Sequence, residues 1–212
     1  MKKIISLLFC FIGRLIALVY PSELAIKLKW IRNIIYTNSI SSKFKYFGTK
    51  SLFHYPITLL GEKYISVGSN NVLGTRSVLT AWDKYEGDNF CPEISIGNNV
   101  CIGEDCHITA INKIIIGDHV LIGKKVTISD NSHGKTDELS SFCIPPIKRR
   151  LYFKGAVIIE SGVWIGDKAT ILSGVKIGQN SIIGANSVVT KDIPENSIAV
   201  GVPAKIIKKT LN

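Results

Sequence analysis

The sequence of 212 residues holds four histidines, and His133 stands in the segment ISDNSHG, where the longest interruption of a repeat begins. An imidazole titrates near neutrality, so it can accept a proton and return it within one reaction cycle. No serine or cysteine is placed to suggest a covalent intermediate, which makes direct attack of one substrate on another the simpler chemistry. The five cysteines, Cys10, Cys91, Cys101, Cys106 and Cys143, are odd in number and lack paired zinc-ligand spacing. They argue against a disulfide framework or a zinc knuckle and fit a reducing, cytoplasmic home.

A histidine can be positioned this way only by a rigid frame, and the frame is a repeat of six. From Ile159 the chain reads IESGVW, IGDKAT, ILSGVK, IGQNSI, IGANSV, VTKDIP. Ile or Val leads each unit, and the fifth position holds Val163, Ala169, Val175, Ser181, Ser187 and Ile193. Neither a 3.6-residue period nor alternation explains a sustained six, whereas a short strand plus a tight turn does. Each unit is then one side of a coil, and stacked coils bury the leading residues in a column. Small fifth residues leave room for that column, and glycine at the second position is expected to ease the turn through positive φ. Earlier copies start at Val67, Ile96 and Ile116, with Asn71 departing from the fifth-position pattern. Two stretches interrupt the phase, DKYEGDNFCPE after Trp82 and the loop 131–155. In a solenoid such insertions project from the surface and commonly build the binding site.

Composition sets the outer bounds. A hydrophobic share of 46% fits a protein with a real core, and 26 Lys and Arg against 16 Asp and Glu give a formal charge of +10. That excess favours a phosphate-bearing cofactor, acidic lipid, anionic glycan or nucleic acid, but no nucleic-acid motif is visible. The opening MKKIISLLFCFIGRLIALVY looks like a signal peptide or anchor, yet Arg14 interrupts it and no A-x-A-like cleavage site follows. Its uncharged run from Ile4 to Gly13 falls short of the roughly 20 apolar residues that span a bilayer. As a helix it aligns Lys2 or Lys3, Ser6, Cys10 and Arg14 among leucine, isoleucine and phenylalanine, which suits a helix lying in a membrane surface. After Pro21 a second helix restarts with Ser22 as N-cap, and TNSISSKFKYFG reads as a linker. This second helix either shares the membrane surface, through residues 1–36, or caps the following domain.

The hexapeptides from Ile65 to Ile206 resemble the hexapeptide-repeat acyltransferases, whose fold is a left-handed parallel β-helix. The expected class is therefore all-β: residues 1–50 helical with a linker, 51–203 the β-helix with its inserted loop, and 204–212 a basic tail. Within that family, VWIGDKATILSGVKIGQNSIIGANSVVTKDIPENSIAVGVPAKII is similar to the cofactor-binding end of sugar O-acetyltransferases. These include the maltose and galactoside enzymes and those of polysaccharide gene clusters. The resemblance implies acetyl-CoA as donor, a sugar or glycan hydroxyl as acceptor, and a homotrimer with its sites between subunits. It makes His133 the general base, because the interval from Ile116 to His133 matches the family pattern. It points to Ser173, Ala185, Thr190, Lys191, Lys205 and Lys208 for the cofactor, with lysine standing at the last two positions where relatives often carry arginine. Trp164 packs beside the site or makes a trimer contact, and Asn112, Trp82 and Asp83 are candidates for the acceptor. Asp130 or Asn131 could orient the ring, and the basic loop at Pro145, Pro146, Lys148, Arg149 and Arg150 could wall the cofactor or meet a neighbour.

Two other functions use the same solenoid. The γ-type carbonic anhydrases hold zinc with three histidines, but His107, His119 and His133 are twelve and fourteen positions apart, without that family's close pair. No metal is therefore expected. N-acetylation of an aminosugar stays open, whereas serine acetyltransferases carry a larger helical domain before the repeats.

Overall fold

Each six-residue unit buries its first and fifth residues, so the chain must turn after every short strand, and three strands complete one circuit. The computed structural model, which describes residues 2–19, 21–135 and 143–209, has three parallel sheets that the chain visits in turn. The first stacks Tyr46–Phe47, Ile65–Val67, Glu93–Ile96, Lys113–Ile116, Val157–Ile159 and Lys176–Ile177. The second stacks Leu52–Phe53, Val72–Leu73, Cys101–Ile102, Leu121–Ile122, Trp164–Ile165, Ile182–Ile183 and Ser197–Gly201. The third stacks Thr58–Leu60, Val78–Ala81, His107–Ala110, Thr127–Ser129, Thr170–Ile171 and Val188–Val189. Taking the strands in order across the sheets gives coils 1 to 6.

Register aligns Ile102, Ile122, Ile165 and Ile183 on successive coils, and all four are buried. Every leading and fifth residue from Ile159 to Ile193 is likewise buried. Full burial of one such side chain contributes about 1.5–3 kcal/mol, so the column is the main source of stability. Asn71 fits at a fifth position because its amide ties two coils: Nδ2 donates to the Gly97 carbonyl at 2.7 Å, and Oδ1 accepts from Val100 N at 2.7 Å.

The second-position glycines serve a different purpose from the one expected. Positive φ falls at the fourth position, on Asn99, Asp105, Lys125, Lys168, Asn180 and Asn186, with values of 57 to 59°. The second position is glycine because the next coil lies against it. A Cβ on Gly103 would come within 2.6 Å of the Gly123 carbonyl carbon.

Helices α1 (Lys2–Val19) and α2 (Ser22–Ser41) precede the coils. Pro21 is the N-cap of α2 and no side chain caps it, so Ser22 is its first residue rather than the expected cap. Amides on strand Leu52–Phe53 and just beyond it alternate in direction. Leu52 N and His54 N donate to coil 2, at Asn71 O and Leu73 O. Phe53 N and Tyr55 N point the other way, to Thr37 Oγ1 at 2.9 Å and Asn33 Oδ1 at 3.2 Å of α2. Thus α2 covers the open edge of coil 1. The stretch read as a linker is helical through Ser41, and its Phe44 then packs edge-on against Phe47 and Phe53 in the core. On α1 the side chains from Lys2 to Leu18 are exposed, and among the described residues no single helix is long and apolar enough to cross a membrane. At the other end, the segment read as a tail forms strand Ala204–Lys209, antiparallel to Ser197–Gly201.

Candidate active site

Both insertions leave the stack where the third sheet hands over to the first. The earlier follows Val78–Ala81 on coil 2 and the later follows Thr127–Ser129 on coil 4, so they flank the short corner Ile111–Asn112 of coil 3. Asp130 builds that corner. Its buried carboxylate accepts from the amides of Ile111, Asn112 and Lys113 at 2.9, 2.8 and 2.7 Å. Those bonds occupy it fully, and Asn131 Nδ2 donates to it at 3.1 Å, so neither residue orients His133 as expected.

The side chain that meets the His133 ring is Tyr85, which sequence reasoning missed. It stands on a hairpin of Lys84–Tyr85 against Asp88–Asn89, turned through Glu86 and Gly87 at positive φ. Its hydroxyl donates to the Ile147 carbonyl at 2.6 Å and lies 3.4 Å from His133 Nδ1, with the two rings edge-on at 5.4 Å. Trp82 packs edge-on against Tyr85 at 6.4 Å, so it reaches the site through that ring. His133 itself is exposed on a two-residue strand paired with Leu151–Tyr152, which pins the start of the long loop to its end. The loop's residues 136–142 lie outside the described residues.

Beside this strand lies a cavity of about 690 Å³, lined by Asn112 from the corner, Asn89, Phe90 and Cys91 from the first insertion, and Gly134, Lys135, Arg149, Arg150, Tyr152 and Phe153 from the second. Arg150 Nε meets Asp88 Oδ2 at 3.4 Å, linking the two insertions. Of the expected acceptor residues, Asn112 is in this lining and Asp83 is not. A hydrogen bond from Tyr64 and one from Lys63 hold the Asp83 carboxyl below the usual carboxylate range, directed at coil 1.

The expected cofactor residues separate into two groups. Ser173, Thr190 and Lys191 occupy the same corner edge as His133 on coils 5 and 6. Ser173 Oγ donates to Asp130 O at 2.6 Å and accepts from Lys154 N at 2.8 Å, which fastens the loop's exit rather than leaving it free for a cofactor. Trp164 lies on the second sheet, Ala185 on the corner beyond it, and Lys205 and Lys208 on the added C-terminal strand. Within one chain none of these seven residues lines the cavity, and His133 itself borders it only through its neighbour Gly134. His107 starts a third-sheet strand and His119 sits on the corner between first and second sheets, so the three histidines weighed for zinc are on different parts of the prism. Among the described residues no group of three or more His, Cys, Asp or Glu is placed to hold a metal ion. Cys106 is buried and burial pushes its thiol up, so it is a poor nucleophile.

Residues 156–191 match the family described as "Bacterial transferase hexapeptide (six repeats)". A protein of Escherichia coli K12 described as a lipopolysaccharide biosynthesis O-acetyl transferase, WbbJ, is 38% identical over 161 residues, covering 74% of this chain and 78% of that one. Galactoside O-acetyltransferase of the same strain is 39% identical over 121 residues, 54% of this chain and 56% of the other. Among solved structures, a maltose O-acetyltransferase from Clostridium difficile 630 has a TM-score of 0.54 at 28% identity, covering 92% of this chain and 89% of that one. The Bacillus cereus N-acyltransferase AntD, solved as a point mutant with dTDP and coenzyme A, shares the fold, with a TM-score of 0.66 at 21% identity over 82% of this chain and 87% of that one.

Proposed function

Since the chain belongs to the hexapeptide-repeat acetyltransferases, we propose that it moves the acetyl group of acetyl-CoA to a hydroxyl of a sugar or surface-polysaccharide precursor, with His133 as general base. The stack then has the family's left-handed sense. The observation that carries the mechanism is the contact of Tyr85 with His133. Tyrosine has one hydroxyl proton, and that proton goes to the Ile147 carbonyl. The oxygen can then only accept, so Nδ1 of His133 carries the hydrogen and Nε2 keeps its lone pair. That nitrogen takes the acceptor's proton as the hydroxyl oxygen bonds to the acetyl carbonyl carbon. When the carbon–sulfur bond breaks, the same proton passes to the departing thiolate.

A homotrimer completes the site in this reading. Cys101, Leu121 and Trp164 form an outward column on the second sheet, with Leu121 and Trp164 46% and 50% exposed. Covering that column with a neighbour supplies apolar contact, and it lets Trp164, Ala185, Lys205 and Lys208 of one subunit serve the corner edge of another. The lysines would neutralise the donor's phosphates. Residues 1–36 lie on an anionic membrane at the cytoplasmic face: they contain Lys2, Lys3, Arg14, Lys27, Lys29 and Arg32 against Glu23 alone.

A screen of acceptor sugars with labelled acetyl-CoA, scored by thiol release, tests the assignment. Hydroxyl sugars should be acetylated by the wild type and about 10²- to 10⁴-fold more slowly by His133→Ala. Label on amines alone would make the enzyme an N-acetyltransferase, and thiol release independent of His133 would remove the proposed base.

A further inference from the structure

The corner edge that carries the site runs the length of the stack, and its two ends differ. Toward coils 5 and 6 it passes Ser173, Thr190 and Lys191, the side on which the proposed function seats the donor. Toward coil 1 it passes a second concavity lined by Lys45, Lys63, Tyr64, Pro92 and Glu93. Phe90 and Cys91 line both this concavity and the cavity beside His133, so the two adjoin along that edge. With the donor held from the far side, this lower half is the side of the edge left for an acceptor to approach along.

The lower half ends at α2. That helix covers coil 1 with Asn33, Thr37 and Ile40 and turns Ile26, Trp30 and Ile35 outward, at 68%, 57% and 64% exposure. Before it, α1 exposes Ile4, Leu7, Phe9 and Phe11 and carries no acidic residue. Basic charge beside a wide apolar surface is the chemistry of an anionic bilayer surface. His133 follows coil 4, three coil steps of about 4.8 Å above coil 1, so about 14 Å above it. The width of α2 adds about 10 Å. In a side-by-side trimer the three helix pairs would face the same way.

We propose that the acceptor is a glycan anchored in the membrane by a lipid, which rises along this corner edge, past the two adjoining cavities, from the α2 end toward His133. The inference rests on the sugar acetyltransferase reading and adds the anchor. It sets a reach: the acetylated hydroxyl lies about 15–25 Å from the headgroups, so the sugar next to the lipid is too close.

The test uses full-length protein, labelled acetyl-CoA and two acceptor pools from the cells that make it. One is the solvent-extracted glycolipid fraction reconstituted in phosphatidylglycerol-containing vesicles, and the other is the water-soluble sugar and sugar-nucleotide fraction. Label should enter the glycolipid. The folded variant Phe11→Glu/Trp30→Glu should label it about 10- to 100-fold more slowly at dilute acceptor, because tethering supplies effective concentration. Its turnover on any soluble sugar that serves as a surrogate acceptor should match wild type. Label confined to the water-soluble pool, or equal glycolipid labelling by wild type and variant, would overturn the anchored acceptor and leave acetyl transfer standing. Label in neither pool would overturn the acetyltransferase reading itself, and this inference with it.

Discussion

Removing one oxygen, in Tyr85→Phe, isolates the orienting step. The ring and its packing on Trp82 remain, while the hydroxyl that meets Nδ1 at 3.4 Å and Ile147 O at 2.6 Å is lost. In the ground state the bond to a neutral ring is long and belongs at the weak end of about 0.5–1.5 kcal/mol. In the transition state the ring gains a proton, and a bond to a charged donor is worth about 1.5–3 kcal/mol. Only the difference changes turnover. A difference of about 1–1.5 kcal/mol lowers kcat by about 5- to 10-fold. Tyr85 is half-buried, so stability should change by about 0.5 kcal/mol or less. Turnover by thiol release at saturating substrates, beside a thermal melt, measures both. The decisive arm is the double variant with His133→Ala. A residue acting through His133 adds no further loss once the imidazole is gone. Full kcat in Tyr85→Phe, or the same 5- to 10-fold loss repeated on the His133→Ala background, would refute the argument.

Four other outcomes are expected. His133→Ala should lower kcat by about 10²- to 10⁴-fold while leaving the acetyl-CoA dissociation constant unchanged by calorimetry. Leu121→Lys, at an exposed position, should keep the fold but shift sedimentation from trimer to monomer and abolish activity; a stable, active monomer would contradict the interface. Gly103→Ala forces a Cβ against Gly123 and should cost about 1–3 kcal/mol, read as a melting temperature lower by about 2–4 °C per kcal/mol. Because burial raises the Cys106 thiol, little thiolate is present at pH 8 and alkylation should spare it, with reactivity appearing only as the pH rises further; mass spectrometry should find the exposed Cys91 modified first.

The coil was legible because its signal repeats. Ile159, Ile165, Ile171 and Ile177 occupy equivalent positions, and each buried copy reinforces the same period. Less legible was the reason for glycine at the second position. Sequence alone cannot distinguish a residue that needs positive φ from one that lacks room for a Cβ, and Gly103 belongs to the second kind. Handedness left no trace in the residues either, since the usual crossover preference favours the opposite sense. The linker reading failed at Phe44 and Phe47 because their partners, Phe53 and the end of α2, are brought to them only by the closing of the first coil.

His133 could be found by its place after a pair of repeats, but Tyr85 is 48 residues earlier and carries no motif. What joins them is counting by coils. A coil without insertions takes 18 to 20 residues, so the exits after Ala81 and Ser129 fall on one edge, two coils apart, with Ile111–Asn112 between. That spacing leaves one turn of bare corner as a floor, and the two insertions become its walls. An exit on an adjacent coil would leave no floor, and one on another edge would leave no second wall. The cavity is therefore a consequence of where the repeat is interrupted. Its chemistry then depends on which side chains the two insertions bring to that edge: the His133 imidazole from the later one and, from the earlier, the Tyr85 hydroxyl that meets it.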